Sequence, residues 1–204
     1  MAKLTITTFL TLDGIMQGPG APHEDRSGGF ERGGWFVPFV DEEFGAFVSG
    51  VFDRAGAFLL GRGTYQIFAS YWPKQNDPQD PVSSKLNALV KHVASRTLEK
   101  VEWAGSRIVR DVAREVPRIK EETAGELQVH GSPGLAQALL EAGLADELNL
   151  VLCPVTLGGP GKRLFGAGTV PTAFELASSR ATGKGVVLAT YRRTGAPTFG
   201  TIGE

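Results

Sequence analysis

ELQVHGSPGLAQALLEAGLADELNLVLCPVTLGGPGKRLF, residues Glu126–Phe165, carries a complete strand–turn–helix–strand pattern. It opens on a short apolar run, Leu127–Val129, with the character of a buried strand. A turn of small residues follows, Gly131-Ser132-Pro133-Gly134, and then Leu135, Leu139 and Ala142 recur at helical spacing. Ser132 is the expected N-cap of that helix, and Pro133 suits its first position, where no amide hydrogen is missed. Gly143 stands where a left-handed residue ends a helix, with Leu144 beyond it able to fold back on Leu139. A second strand, Glu147–Leu152, comes next. A helix starting at such a turn offers backbone amides and a positive dipole end to an anion, a site suited to a diphosphate-bearing cofactor. The same turn also serves a crossover that binds nothing, since the chain has neither G-x-G-x-x-G nor a P-loop.

Working outward, Ala57–Tyr65, AFLLGRGTY, repeats the grammar: apolar strand, glycine turn carrying Gly61 and Arg62, then Thr64 opening a short helix. Lys3–Leu12 is β-branched and reads as a first strand running into Asp13-Gly14. Gly18–Trp35 is long and glycine-rich, a functional lid or a disordered insert, with Phe30, Trp35 and Phe36 favouring the packed alternative. A helix is expected over Val40–Arg54, with Asp41, Glu42 and Glu43 complementing its dipole or, alternatively, one of them acting in catalysis. Helices are also expected over Ser83–Leu89 and Asp111–Thr123, the latter disturbed by Pro117. Lys91–Ala94 and Arg107–Val109 read as strands, the first ending in Ser95-Arg96. Two strands, Ala173–Arg180 and Gly185–Arg193, close the chain as an antiparallel hairpin before a loose tail at 195–204. Strands alternating with helices predict an α/β fold, a mostly parallel sheet covered on both faces within one domain over residues 1–194. Ligands of such sheets bind at the carboxyl ends of the strands, so Asp13-Gly14, Gly61-Arg62, Ser95-Arg96 and Gly131-Ser132 are expected to converge.

Composition narrows the function classes. At 204 residues and 42% hydrophobic content the chain can bury a full core. A net charge of -1 gives no electrostatic case for nucleic acid or an anionic membrane. No apolar stretch is long enough to span a bilayer, and no signal peptide is legible, so a cytoplasmic protein is expected. The single cysteine, Cys153, lies in an apolar run and reads as a buried thiol rather than a nucleophile. His23, His92 and His130 have no metal spacing and no Ser-His-Asp arrangement is visible, so no metal is expected. Asp13 is the candidate proton-handling or substrate-binding group, or else a turn residue whose carboxylate bonds local amides.

LTLDGIM at Leu10–Met16, LLGRGTY at Leu59–Tyr65 and GLADELNLVLCPVTLGGPGKRLF at Gly143–Phe165 resemble the bacterial dihydrofolate-reductase-like proteins that share the reductase domain of riboflavin biosynthesis. The resemblance covers about residues 3–193. It implies a three-layer α/β/α domain of the dihydrofolate-reductase-like fold that binds NADPH and reduces a heterocycle or ribosylamine, as a homodimer. It implies that Gly61, Arg62 and Thr64 hold cofactor phosphates, that Ser95 and Arg96 lie near the adenosine 2′-phosphate, and that His130–Leu135 lies under the diphosphate through Gly131, Ser132, Pro133, Gly134 and Leu135. Ile15 and Met16 match the segment lining the nicotinamide. On the substrate side, Thr11 stands for a signature serine, Asp13 is retained as the catalytic candidate, and Trp35 and Asp41 are candidate substrate contacts. The long Gly18–Trp35 loop departs from both named groups. The competing reading is a nucleotide-binding sensor or interaction module without turnover.

Overall fold

The computed structural model describes residues 1–203 and places eight strands in one sheet. Six are parallel: β1 (Leu4–Thr11), β2 (Ala55–Gly61), β3 (Lys91–Ala94), β4 (Ser106–Val109), β5 (Glu126–His130) and β6 (Glu147–Cys153). β7 (Ala173–Ala181) and β8 (Val187–Gly195) add the antiparallel hairpin, and the order is β4-β3-β2-β5-β1-β6-β8-β7. The helices are α1 (Glu42–Asp53), α2 (Arg62–Tyr71), α3 (Pro81–Ala88), α4 (Val112–Glu122) and α5 (Pro133–Glu141). This is the mostly parallel α/β architecture with a closing hairpin that the alternation predicts. No helix among the described residues is long and apolar enough to cross a membrane.

The sheet is covered on both faces because its central strands are apolar or fully buried along their length. On one face Leu4, Ile6, Leu127, Val129 and Leu148 pack on Val116 and Ile119 of α4 and Leu135 and Leu139 of α5. On the other, Phe58 and Leu60 meet Phe52 of α1 and Leu86 of α3. β5 is buried at every position, yet alternate residues on its α1 face are polar: Glu126, Gln128 and His130. That polar row inside a covered sheet shapes the site described below.

Several boundaries differ from the sequence reading, each for a local reason. α1 begins at Glu42, because Asp41 is its extended N-cap and accepts the Phe44 amide. α3 begins earlier than expected, at Pro81, because Asp80 caps it through the Val82 and Ser83 amides. α4 continues through Pro117; the carbonyl its missing amide leaves free belongs to Ala113, on the exposed side. α5 ends as expected, with Gly143 at φ 65° and the Leu144 amide donating to the Leu139 carbonyl. Its start does not: Ser132 is left-handed (φ 59°) and makes no capping bond. In the expected tail β8 runs on to Gly195, residues 196–203 hold no helix or strand, and Glu204 lies outside the described residues.

The Gly18–Trp35 segment is packed. Phe30, Trp35 and Phe36 are buried with Phe44, Val151 and Leu188, and the Trp35 indole N–H donates to the Gln17 carbonyl at 2.8 Å. Lifting Trp35 out would forfeit that bond and about 2–3 kcal/mol of apolar burial. The segment is a pinned loop, and Trp35 is one of its anchors.

Candidate functional site

Because β2, β3 and β5 run parallel, their carboxyl ends share one edge of the sheet. The residues that follow them, together with the start of α4 past β4, line a cleft of about 820 Å³. Gly61, Arg62, Ser95, Arg96 and Ser132–Leu135 are in its wall, joined by Arg110, Lys162 and Arg163. The cleft is therefore net basic, with these five cations set against Asp25 and Asp111 in the same wall. Arg62 and Arg96 are exposed at its rim, and Arg62 donates to the Thr97 hydroxyl at 2.9 Å. Arg110 is held by the Ser95 carbonyl at 2.9 Å.

The start of α5 explains why the cleft floor suits an anion. The Ser132 hydroxyl accepts the Gly61 amide at 3.0 Å and donates to the Thr64 hydroxyl at 2.7 Å, tying the two glycine turns together. A Cβ at Gly61 would come within 2.8 Å of that oxygen, so only glycine permits the approach. Spent on this bridge, the hydroxyl is not available as a cap, and the first-turn amides of α5 are left without a side-chain acceptor. A cap was the expectation at Ser132; the longer-range partner displaces it.

A second cavity, of about 400 Å³, opens beside the first. Its walls are largely apolar: Phe36, Phe44, Val48, Phe52, Phe68 and Trp72, with Met16, Thr64, Gly131 and His130 among the rest. Four residues line both cavities, namely Asp25, Ser132, Pro133 and Lys162. Lys162 and Asp25 form an ion pair of 2.6 Å across this junction. Burial alone would raise the Asp25 carboxyl, but the bonds from Lys162 and Ser27 outweigh it and hold it below its ordinary value. Gln17 adds a further tie, accepting the Lys162 amide at 3.1 Å.

The sequence candidates divide accordingly. Gly61, Arg62, Ser95, Arg96, Ser132, Pro133, Gly134 and Leu135 meet in the basic cleft; Met16, Thr64 and Gly131 line the apolar cavity. Asp13, Thr11, Ile15, Trp35 and Asp41 line neither. Ile15 is fully buried and pairs with Arg163 in an isolated bridge. Asp41 caps α1 and also accepts the Lys184 amide at 3.3 Å.

Asp13 is a turn residue that staples two loops. Its carboxylate accepts the Thr11 hydroxyl at 2.6 Å, the Gly158 amide at 2.8 Å and the Leu157 amide at 3.2 Å. The Thr11 bond, then the Gly158 and Leu157 amides, overcome the burial penalty and hold its pKa at about 2, so it stays an anion. Of the two readings of Asp13, the geometry matches amide bonding, with the amides supplied by the distant Leu157 and Gly158 rather than by its own turn. Cys153 is buried, and burial pushes its thiol up to about 12, so it is inert at neutral pH.

Arg110 and Lys162 were not among the sequence candidates. Arg110 follows β4 just as Arg96 follows β3, so the strand-end rule could have found it. The aromatic wall could not be found that way, since its members come from α1, α2 and the loops and look individually like core.

The RibD C-terminal domain family model matches residues 2–188. The uncharacterized protein YyaP of Bacillus subtilis (strain 168) is 25% identical over 195 residues, spanning 95% of this chain and 96% of its own. Among solved structures, a pyrimidine reductase-like protein from Corynebacterium diphtheriae superposes with a TM-score of 0.62 at 11% identity, covering 94% of this chain and 92% of its own. Dihydrofolate reductase from Enterococcus faecalis, complexed with NADP(H), superposes with a TM-score of 0.60 at 15% identity, covering 94% and 96%. The diaminohydroxyphosphoribosylaminopyrimidine deaminase/5-amino-6-(5-phosphoribosylamino)uracil reductase of Thermotoga maritima gives 0.61 at 15%, with 94% of this chain matching 56% of that longer one. By the extent of the family match, the chain belongs to the RibD C-terminal domain family.

Proposed function

We propose that the protein is an NADPH-dependent reductase of a small flat heterocycle, of the pterin or ribosylaminopyrimidine kind. One observation carries the reading: a basic cleft floored by an uncapped helix start shares four wall residues with an apolar, aromatic-walled cavity beside it. A ligand with a phosphate-rich end and a flat ring end fits such a pair. The Enterococcus dihydrofolate reductase, complexed with NADP(H), and the Thermotoga uracil reductase share this fold, which supports the same assignment.

The residues present fit the cofactor. Gly63 and Gly134, at the starts of α2 and α5, have nothing within 4 Å of where a Cβ would stand, so the backbone there is open to a bulky anion. First-turn amides of α5 would hold the diphosphate. Arg62 and Arg96 would meet the 2′-phosphate with charge-assisted donors. Bound there, NADPH would supply the hydride. The protein's work is placement: Met16 and the Ser132–Pro133 turn bound the junction, and the aromatic wall excludes water from the facing ring. Lys162, the one cation lining both cavities among the described residues, orients polar substituents at their meeting point.

The test is NADPH oxidation across a panel of pterins, ribosylaminouracils and quinones. Oxidation with at least one heterocycle is expected. Tight NADPH binding with no oxidation across the panel would instead favour a nucleotide-binding module without turnover.

A further inference from the structure

We propose that His130 is the specificity-determining residue of the apolar cavity, presenting a bare Nδ1 acceptor to a flat heterocycle that carries an N–H or O–H donor. The inference rests on the apolar cavity being a ligand site, as the reductase reading also holds, but on no redox step.

Arg54 donates to Glu126 at 2.7 Å, and the Thr5 hydroxyl donates to the same carboxyl group at 3.3 Å. Gln128, two residues on along the same face, donates its amide nitrogen to the Glu126 carboxylate at 2.9 Å and to the Val51 carbonyl at 2.6 Å. The Val51 carbonyl can only accept. The Gln128 amide is therefore oriented without ambiguity, its oxygen pointing the other way. That oxygen lies 3.2 Å from His130 Nε2. A carbonyl oxygen accepts, so Nε2 must carry the proton, and Nδ1 is left with its lone pair.

Nδ1 makes no hydrogen bond among the described residues. It is not sealed away either, because the only fully buried side-chain polar atom without a partner among those residues is Ser106 Oγ. His130 lines the apolar cavity, and that is where Nδ1 has room for a partner. The ring itself is held in plane, stacked on Phe52 at 4.6 Å between centroids and tilted against Phe58 at 5.7 Å. Burial also lowers the imidazole to about pKa 4, which keeps the lone pair free at neutral pH. Among aromatic walls, an acceptor of fixed direction discriminates: a ligand without a matching donor desolvates it for nothing.

Indole and benzofuran test this directly, being flat bicyclic rings of the same shape with and without an N–H. Calorimetry on the full chain should show indole binding about fivefold more tightly, the worth of one neutral hydrogen bond. His130→Phe keeps the stack on Phe52 and should erase the preference. In the wild-type protein, nitrogen NMR should find the imidazole proton on Nε2, and the Nδ1 resonance should move with indole but not with benzofuran. Those wild-type spectra decide the matter even if the variant fails to fold. Equal affinities, binding of neither probe, a preference surviving His130→Phe, or a proton on Nδ1 in the free protein would each overturn the proposal. No readout requires NADPH, so failure to oxidise NADPH would sink the reductase reading and leave this one standing.

Discussion

His130 should make the fold acid-labile above the range in which its carboxylates titrate. The ring is buried, and burial lowers its pKa from 6.5 to about 4. Between those values the unfolded chain binds a proton that the folded chain refuses. Stability therefore falls as pH drops from 6.5 towards 4 and is insensitive to this group above 6.5. The slope approaches about 1.4 kcal/mol per pH unit inside that window, or roughly 2 kcal/mol between pH 6.5 and 4.5. With a urea dependence of about 2–3 kcal/mol/M for a chain of this size, the unfolding midpoint should move by about 1 M. His92, lowered by burial and by the Arg107 charge, acts with the same sign, so the comparison is best made in a His92→Gln background. Asp13, Asp25 and Asp41, all held below their ordinary values, contribute stability that is lost only as pH falls below about 3.8, outside the window. Urea melts at pH 7.5, 6.5, 5.5 and 4.5, with and without His130→Phe, measure the effect. A flat wild-type profile, or the same slope in the variant, would refute the burial argument.

Other consequences follow from the same geometry. Arg62→Ala with Arg96→Ala should cost roughly ten- to a hundredfold in NADPH affinity and remove any preference over NADH, as calorimetry with both nucleotides would show. Ser132→Ala leaves the Gly61 amide without its acceptor and should cost about 1–3 kcal/mol, a fall of roughly 3–10 °C in Tm. Ser132→Gly should be milder by about 1 kcal/mol, because it relieves the left-handed backbone; equal melting points would contradict that. Asp13→Asn should lower Tm and loosen the 156–163 loop while leaving kcat within a few-fold; a hundredfold loss of kcat at unchanged Tm would restore Asp13 as a catalytic group. β7 is the sheet edge and Leu176 on it is exposed, so we predict a homodimer that covers this hairpin; light scattering showing a monomer at micromolar concentration would reject it.

What was legible in the sequence was what depends on neighbours along the chain. The strand–turn–helix of 126–141, the left-handed Gly143 and the closing hairpin are all local signals, and all appear in the structure. The convergence of Gly61, Arg62, Ser95, Arg96 and Ser132 on one cleft was legible too, because the parallel sheet brings strand ends to one edge by topology alone. The misreadings share one cause, a distant partner. Ser132 has the identity of a cap, but Thr64 and Gly61, some 70 residues away, claim its hydroxyl. Asp13 sits beside the right motif, yet Leu157 and Gly158 occupy its carboxylate. Trp35 looked like the edge of a lid and is buried in one cluster with Val151 and Leu188 of distant strands. The apolar cavity escaped entirely, since Phe44, Phe52 and Phe68 are indistinguishable from core until the helices carrying them are placed. Nothing along the chain marks out His130 beyond its place at the glycine turn, and only the bonds running back to Arg54 fix which of its nitrogens has a partner.

The central claim is that cleft and cavity form one site, phosphate end and ring end joined at Ser132–Pro133 and the Asp25–Lys162 pair. A crystal structure of the protein with NADPH tests it most directly. The account predicts the diphosphate on the first turn of α5, the 2′-phosphate between Arg62 and Arg96, and the nicotinamide at the junction facing the aromatic cavity. A diphosphate bound away from α5, or a nicotinamide turned out of the junction, would contradict it.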